Sequence, residues 1–366
     1  HNEMRKHGIK LVLGYTVEGF KEKDNGVEVL LKDNPSLQAD MVVLAIGVTP
    51  DTVLAKEAGL ELGIKESIVV NDRMETSVPD IYAAGDAVQV KHYVTGNDAL
   101  ISLAGPANKQ GRIIADNICG GDSRYLGSQG SSVIKVFDMT AATTGINETN
   151  AKKSGLEVDT VILSPMSHAG YYPGGKVMTM KVIFEKESYR LLGAQIIGYE
   201  GVDKRIDVLA TAIHAGLNAT QLKDLDLAYA PPYSSAKDPV NMAGFMIDNI
   251  AKGTLKQWHL EAMDKISKDK DVVLLDVRTV GEFSIGHIDG FKNIPVDELR
   301  ERISEIEKGK PVYLICQSGL RSYIASRILE GNGYETYNFS GGFRFYDAVV
   351  NDRALIERAY ACGMDY

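Results

Sequence analysis

The sequence predicts a multidomain protein of mixed α/β and α+β class, and three observations lead there. The chain has 366 residues, too many for one ordinary domain, and 44% of them are hydrophobic, enough for two or three cores. Short apolar runs of strand length recur along the chain, separated by segments with helical spacing. Late in the chain, the apolar run 311–315 delivers Cys316 into the loop Cys316-Gln317-Ser318-Gly319-Leu320-Arg321-Ser322. That loop winds into a helix with apolar side chains at Ile324, Ala325, Ile328 and Leu329.

From the N-terminus, residues 9–13 and 27–31 read as strands, the second preceded by a turn at Lys23-Asp24-Asn25-Gly26. Residues 41–46 form a continuous apolar strand that Gly47 and Pro50 end, and residues 81–84 form another that delivers Gly85 and Asp86. A helix begins near Leu103 and runs through Ile113, Ile114, Ala115 and Ile118, with Cys119 as a structural residue near its end. Residues 133–136, 160–163, 178–184 and 191–197 read as strands. Residues 147–154 and 202–215 read as helices, the first with Asn147 or Thr149 as N-cap. The short linker 250–259 carries the single tryptophan, Trp258, which is expected to pin its flanking units together.

Composition excludes several classes. A net charge of −9 gives no electrostatic case for nucleic acid or an anionic membrane surface. Three widely spaced cysteines, Cys119, Cys316 and Cys362, form neither a disulfide framework nor a zinc pattern, so no metal is expected. They suit a reducing, cytoplasmic compartment, with Cys362 expected as an exposed tail residue. No apolar run reaches membrane-spanning length, and the start of the chain lacks a signal-peptide pattern. It also lacks an initiator Met, so an N-terminally truncated chain is expected.

Cys316 is placed for chemistry. Converging N–H groups and the positive end of a helix dipole stabilise an anion at such a loop, and Arg321 adds positive charge, so a populated thiolate is expected. An inert buried cysteine is the bland alternative, against which Gly319 and Arg321 argue. The loop resembles the Cys-x-x-Gly-x-Arg active site of rhodanese sulfurtransferases. The resemblance extends over residues 259–366, through Asp276-Val277-Arg278, Glu282-Phe283, Gly286-His287-Ile288-Asp289-Gly290, Asn293-Ile294-Pro295 and the Gly341-Gly342 turn, with Tyr346 as the nearby aromatic. It implies sulfane-sulfur transfer: Cys316 holds a persulfide, and Gln317, Ser318, Gly319, Leu320 and Ser322 cradle the anion. Arg321 attracts an anionic donor, while Asp276, Arg278, Glu282 and His287 look structural. Phosphatase or arsenate-reductase chemistry also uses a cysteine-to-arginine anion loop, but such loops usually run one residue longer, so sulfur is preferred.

Upstream, Ala45-Ile46-Gly47-Val48-Thr49-Pro50 resembles the closing segment of a nicotinamide-binding domain in flavin disulfide reductases. Thr76-Ser77-Val78-Pro79-Asp80-Ile81-Tyr82-Ala83-Ala84-Gly85-Asp86 resembles the second flavin motif of that family. There Gly85 allows close approach and Asp86 accepts a hydrogen bond from the ribityl chain. Gly105, Pro106 and Ala107 open the helix that the family points at the flavin ring. No Gly-x-Gly-x-x-Gly follows a strand in this sequence, so FAD occupancy by these residues alone is in doubt.

Residues 131–253 resemble the dimerisation domain of the same reductases. Tyr171-Tyr172-Pro173-Gly174 and Tyr229-Ala230-Pro231-Pro232-Tyr233 stand out. In the coenzyme A-disulfide reductase branch, tyrosines of one subunit reach the other's active site. Tyr172 and Tyr229 are the best matches and Tyr171 and Tyr233 the next; packing of a dimer interface is the equal alternative. The order of parts is 1–49 from a NAD(P)-binding domain, 50–130 from an FAD-binding domain, 131–253 for dimerisation and 259–366 rhodanese. It is similar to coenzyme A-disulfide reductases with rhodanese homology domains. That implies a homodimeric FAD- and NAD(P)H-dependent reductase of coenzyme A disulfide, coenzyme A persulfide or polysulfide, fused to a sulfurtransferase. A stand-alone sulfurtransferase or persulfide carrier on a dimerisation scaffold is the second reading.

Overall fold

The computed structural model describes residues 1–362, with side chains to residue 355. It begins with the short helix α1 (Asn2–Lys6) and an antiparallel meander of β1 (Val17–Lys23), β2 (Gly26–Leu31) and β3 (Asn34–Ala39). The predicted turn at residues 23–26 closes the first hairpin. Gly26 is required there: its φ is 136°, and a Cβ would lie 2.4 Å from the Ala39 carbonyl oxygen.

Two predicted strands of this region are absent. Residues 9–13 form no strand. Residues 41–46 run as irregular chain with Met41, Val43, Leu44 and Ile46 between 62% and 88% exposed. An apolar run becomes a strand only when neighbouring strands satisfy its backbone, and no described strand lies beside this one. Cys362 lies outside the residues with described side chains.

After α2 (Val53–Glu57) comes a small sheet of β4 (Ile68–Val69), β5 (Val88–Lys91) and β6 (Asp98–Ala99). Residues 81–84, predicted as a strand, make only an isolated bridge, Glu75 to Tyr82, for the same want of partners. Regular pairing starts just beyond, at Val88, where Val88, Val90 and Met74 form a small core. Helix α3 (Ala104–Ile118) follows. Cys119 at its end is exposed, contrary to a structural role.

The largest core belongs to a five-stranded antiparallel sheet in the order β7-β8-β11-β10-β9. Its strands are β7 (Ser132–Val136), β8 (Met139–Gly145), β9 (Val158–Leu163), β10 (Met178–Glu185) and β11 (Leu191–Gly198); between β8 and β9 lies α4 (Glu148–Lys153). Asn147 caps α4, its side chain accepting from the Asn150 N–H at 2.8 Å, which resolves the choice between Asn147 and Thr149. Helices α5 (Val202–His214) and α6 (Pro239–Ala251) contribute Ile206, Leu209, Ile213, Val240, Ala243 and Ile247 to the core. Fully burying a Val, Leu or Ile side chain stabilises by about 1.5–3 kcal/mol.

The last unit is a parallel sheet in the order β12-β16-β15-β13-β14. Its elements in chain order are β12 (Gln257–Trp258), α7 (Met263–Ile266), β13 (Val273–Asp276), α8 (Val280–Ile285), β14 (Lys292–Asn293), β15 (Val312–Ile315), α9 (Leu320–Glu330), β16 (Thr336–Phe339) and α10 (Gly342–Cys362). Trp258 is buried within this unit against Tyr313 and Phe339. The tie to the antiparallel sheet is made by its neighbours instead. Gln257 donates to Asp159 and to the Thr160 carbonyl, and His259 Nε2 lies 2.9 Å from Asp159 Oδ1. The Ile162 N–H also donates to Ser340 Oγ at 3.1 Å.

Candidate active site

Cys316 follows directly on β15, and its side chain is 1% exposed. Gly319, at φ 100°, turns the chain into α9 and donates its N–H to Cys316 Sγ at 3.1 Å. Ser322 Oγ, in the first turn of α9 and fully buried, lies 3.2 Å from Sγ. The loop is braced from outside. The carbonyls of Cys316, Gln317 and Gly319 accept from the N–H groups of Phe343 and Arg344 and from Asn338 Nδ2, respectively. Gly342 fits only as glycine: its φ is 67°, and a Cβ would lie 2.6 Å from the Ser318 nitrogen. Gln317 and Ser318 are part-exposed, and Leu320 is 66% exposed.

Arg321 is not a free cation. Its guanidinium forms a two-pronged pair with Glu282, both contacts at 2.7 Å. That hydrogen bond chiefly holds the Glu282 carboxyl down to about 2. Glu282 also completes a capping box with Thr279 at the start of α8. The pair was legible only as the motif Thr279-x-x-Glu282, which announces the cap and not the arginine. Arg278 is buried on Asp276, with contacts of 2.7–3.1 Å, and donates to the Gly286 carbonyl. Phe343 follows the Gly-Gly turn directly, its ring centre 3.8 Å from the Arg278 guanidinium carbon, and Tyr346 packs beside it with ring centres 6.0 Å apart. His287 stacks on Phe283 with ring centres 4.1 Å apart, a local structural contact.

The tyrosines stand elsewhere. Tyr171 and Tyr229 join hydroxyl to hydroxyl at 2.8 Å, and this hydrogen bond raises the Tyr229 phenol above its ordinary value. Tyr172, the other best match beside Tyr229, meets the His168 ring edge-on at 5.6 Å. Tyr229 and Tyr233 line a cavity of about 500 Å³ with Ser167, His168 and Lys204. Its floor is Arg205, 1% exposed and bound to Asp238, Ser234 and the Ser167 carbonyl, a network that sequence reasoning missed. Only the fold brings these distant positions together.

At the remaining predicted site, the Gly85 N–H donates to Gln110 Oε1 at 2.7 Å, fastening the Gly85-Asp86 turn to α3. Asp86 is exposed with no side-chain partner among the described residues. The first turn of α3, with Gly105, Pro106 and Ala107, has no side-chain cap. Gly47, at φ 94°, lies in the exposed 41–48 segment.

Residues 1–111 match the family described as pyridine nucleotide-disulphide oxidoreductase, and residues 131–239 match the dimerisation domain of the same family. The chain belongs to the pyridine nucleotide-disulphide oxidoreductases. Residues 259–348 match the rhodanese-like domain, the part that holds Cys316. Among solved structures, reduced Bacillus anthracis CoADR-RHD is 47% identical with a TM-score of 0.93, covering 96% of this chain and 63% of that one. An NAD-dependent persulfide reductase from A. fulgidus is 40% identical with a TM-score of 0.86, covering 94% and 63%. A Pyrococcus abyssi NAD(P)H sulfur oxidoreductase (CoA-dependent) is 37% identical over 65% of this chain and 53% of its own length. A Staphylococcus aureus coenzyme A disulfide reductase is 35% identical over 67% and 55%. The chain thus spans about half the length of these curated relatives.

The family is FAD- and NAD(P)H-dependent. The residues present fit the ring and ribityl end of a flavin: Asp86 is an unpartnered acceptor, and the uncapped α3 terminus offers N–H groups. They do not fit the pyrophosphate, for which the sequence holds no Gly-x-Gly-x-x-Gly cradle.

Proposed function

We propose that Cys316 is the nucleophile of a sulfurtransferase site joined to a reductase of coenzyme A disulfide, coenzyme A persulfide or polysulfide. The observation that carries the sulfur chemistry is the Cys316 Sγ held between the Gly319 N–H and Ser322 Oγ at the start of α9. These donors would hold the anionic sulfur of a Cys316 persulfide. In the first step the thiolate attacks the outer sulfur of a donor R–S–S⁻. The Cys316–sulfur bond forms as the donor's S–S bond breaks, and RS⁻ leaves with the electron pair. An acceptor thiolate then attacks the outer sulfur of the Cys316 persulfide, which breaks that S–S bond and restores the Cys316 thiolate. No net oxidation occurs.

For the reductase, the family match and the names of the relatives support NAD(P)H as reductant. In this reading residues 1–49 and 50–130 belong to the NAD(P)- and FAD-binding parts, 131–253 to dimerisation and 259–366 to the rhodanese unit. Bound FAD would supply hydride and electron transfer; Asp86, with Gly85 and the α3 turn at Gly105, Pro106 and Ala107, would hold its ribityl and ring end. A homodimer is supported by the dimerisation-domain match; in this reading the hydroxyl pair Tyr171–Tyr229 would deliver a proton to a partner's thiolate. Small thiols, disulfides and persulfides are the substrates. Free Cys119 and Cys316 support a cytoplasmic setting, and no helix among the described residues is long and apolar enough to cross a membrane.

The test is sulfur transfer from thiosulfate or polysulfide to cyanide or coenzyme A, in wild type and Cys316→Ser, with NAD(P)H oxidation and flavin absorbance followed in parallel. Equal transfer by the mutant removes Cys316 from the mechanism. Transfer without flavin or NAD(P)H oxidation supports the stand-alone sulfurtransferase instead.

A further inference from the structure

We propose that Arg344, not the loop's own Arg321, is the cation that receives the anionic end of a sulfane-sulfur donor at Cys316; this rests on the sulfurtransferase reading of that loop. Three arginines lie in or beside the loop: Arg321 within it, Arg278 against Gln317, and Arg344, whose backbone is bonded to Gln317. Arg321 is engaged on both prongs by Glu282, and Arg278 is buried on Asp276. A guanidinium bound in this way presents little net charge and few open donors to an incoming anion. Arg344 is different. It is exposed, and among the described residues its guanidinium has no hydrogen bond or ion pair.

Its backbone is fixed against the nucleophile's loop. The Arg344 N–H donates to the Gln317 carbonyl at 3.2 Å, and the preceding Phe343 N–H donates to the Cys316 carbonyl at 2.7 Å. Phe343 is wedged on Arg278, which sets the first turn of α10 and leaves residue 344 facing water. The neighbouring helices offer an anion little. Leu320 and Ile324 on α9, and Val280 and Ile285 on α8, are apolar and between 44% and 91% exposed. The donor class that fits is a sulfane-sulfur compound with an oxyanion on its leaving group, of the thiosulfonate kind, its oxygens on the Arg344 guanidinium and its outer sulfur toward Cys316.

The test compares alkylation of Cys316 by iodoacetate, an anion, and by iodoacetamide, which is neutral, with the Cys316 peptide followed by mass spectrometry. The full chain is used as wild type, R344Q, R344E and R344K. The neutral reagent controls for folding and thiol ionisation. The iodoacetate-to-iodoacetamide rate ratio is expected to fall about three- to tenfold in R344E, which changes the local charge by two units, part-way in R344Q, which changes it by one, and little in R344K. In parallel, KM for thiosulfate rises in R344E while kcat holds. The same ratio in all four proteins overturns the proposal, as does an equal loss of both rates, which would make Arg344 a support of the loop. An Arg344-dependent ratio in a chain that turns over no thiosulfate or polysulfide upholds Arg344 and overturns the sulfurtransferase reading.

Discussion

Arg321 and Glu282, 39 positions apart, share two contacts of 2.7 Å that clasp the Cys316 loop to α8. The loop's arginine is therefore a brace, and its position relative to Cys316 depends on a carboxylate outside the loop. Glu282 has its carboxyl lowered from 4.5 to about 2, so its contribution is present above the ordinary carboxylate range and lost as pH falls through about 2. With Glu282 part-exposed, solvent screening reduces that contribution to roughly 1–2 kcal/mol. Glu282→Gln should lower the denaturant midpoint of this unit at neutral pH. The gap to wild type should close as pH falls from 4.5 toward about 2. Fluorescence of Trp258, the sole tryptophan and part of this unit's core, reads the transition.

Ser322→Ala removes the hydroxyl 3.2 Å from Cys316 Sγ. A hydrogen bond to a charged group contributes about 1.5–3 kcal/mol, so persulfide formation should slow by roughly tenfold or more. Stopped-flow reaction with polysulfide measures it, and a wild-type rate would show that Ser322 only fills space.

Gly342→Ala places a Cβ 2.6 Å from the Ser318 nitrogen, at a φ of 67° that disfavours side chains. The backbone must move, at a cost of roughly 2–3 kcal/mol, and the Cys316 loop moves with it. Both the Trp258 unfolding midpoint and sulfur transfer should drop together.

Asp159 joins the two large units through Gln257 and His259. Burial opposes its charge, but hydrogen bonds led by His259 outweigh that and lower its carboxyl overall. The tie should therefore weaken in acid, once pH falls below the ordinary carboxylate range. Asp159→Asn should speed proteolytic cutting near Gly253 by about three- to tenfold at neutral pH, read by gel densitometry.

Tyr171→Phe removes the hydrogen bond that raises the Tyr229 phenol, so the Tyr229 titration should shift downward. An ultraviolet pH titration against Tyr229→Phe shows it; an unmoved curve would mean that the pair is not formed in solution.

What could be read without the fold was local. The Asn147 cap is a contact over three positions, the turn before Gly26 is written in four residues, and the Cys316 loop lies within seven. Residues 41–46 failed because strand-forming composition describes only one side of a pairing. Trp258 was placed at the correct junction, but burial against Tyr313 and Phe339 took its ring into one unit.

The sequence by itself determined where the candidate site lies, because a cysteine, a tight glycine turn and a helix start occupy contiguous residues, a pattern that favours an anion. Only the tertiary structure decided which charges serve that site. It neutralised Arg321 with Glu282, buried Arg278 on Asp276, left Arg344 open and joined Tyr229 to Tyr171 rather than Tyr172. Those choices depend on distances between positions far apart in the chain, and electrostatic effects depend on distance and burial, which no local pattern of residues encodes.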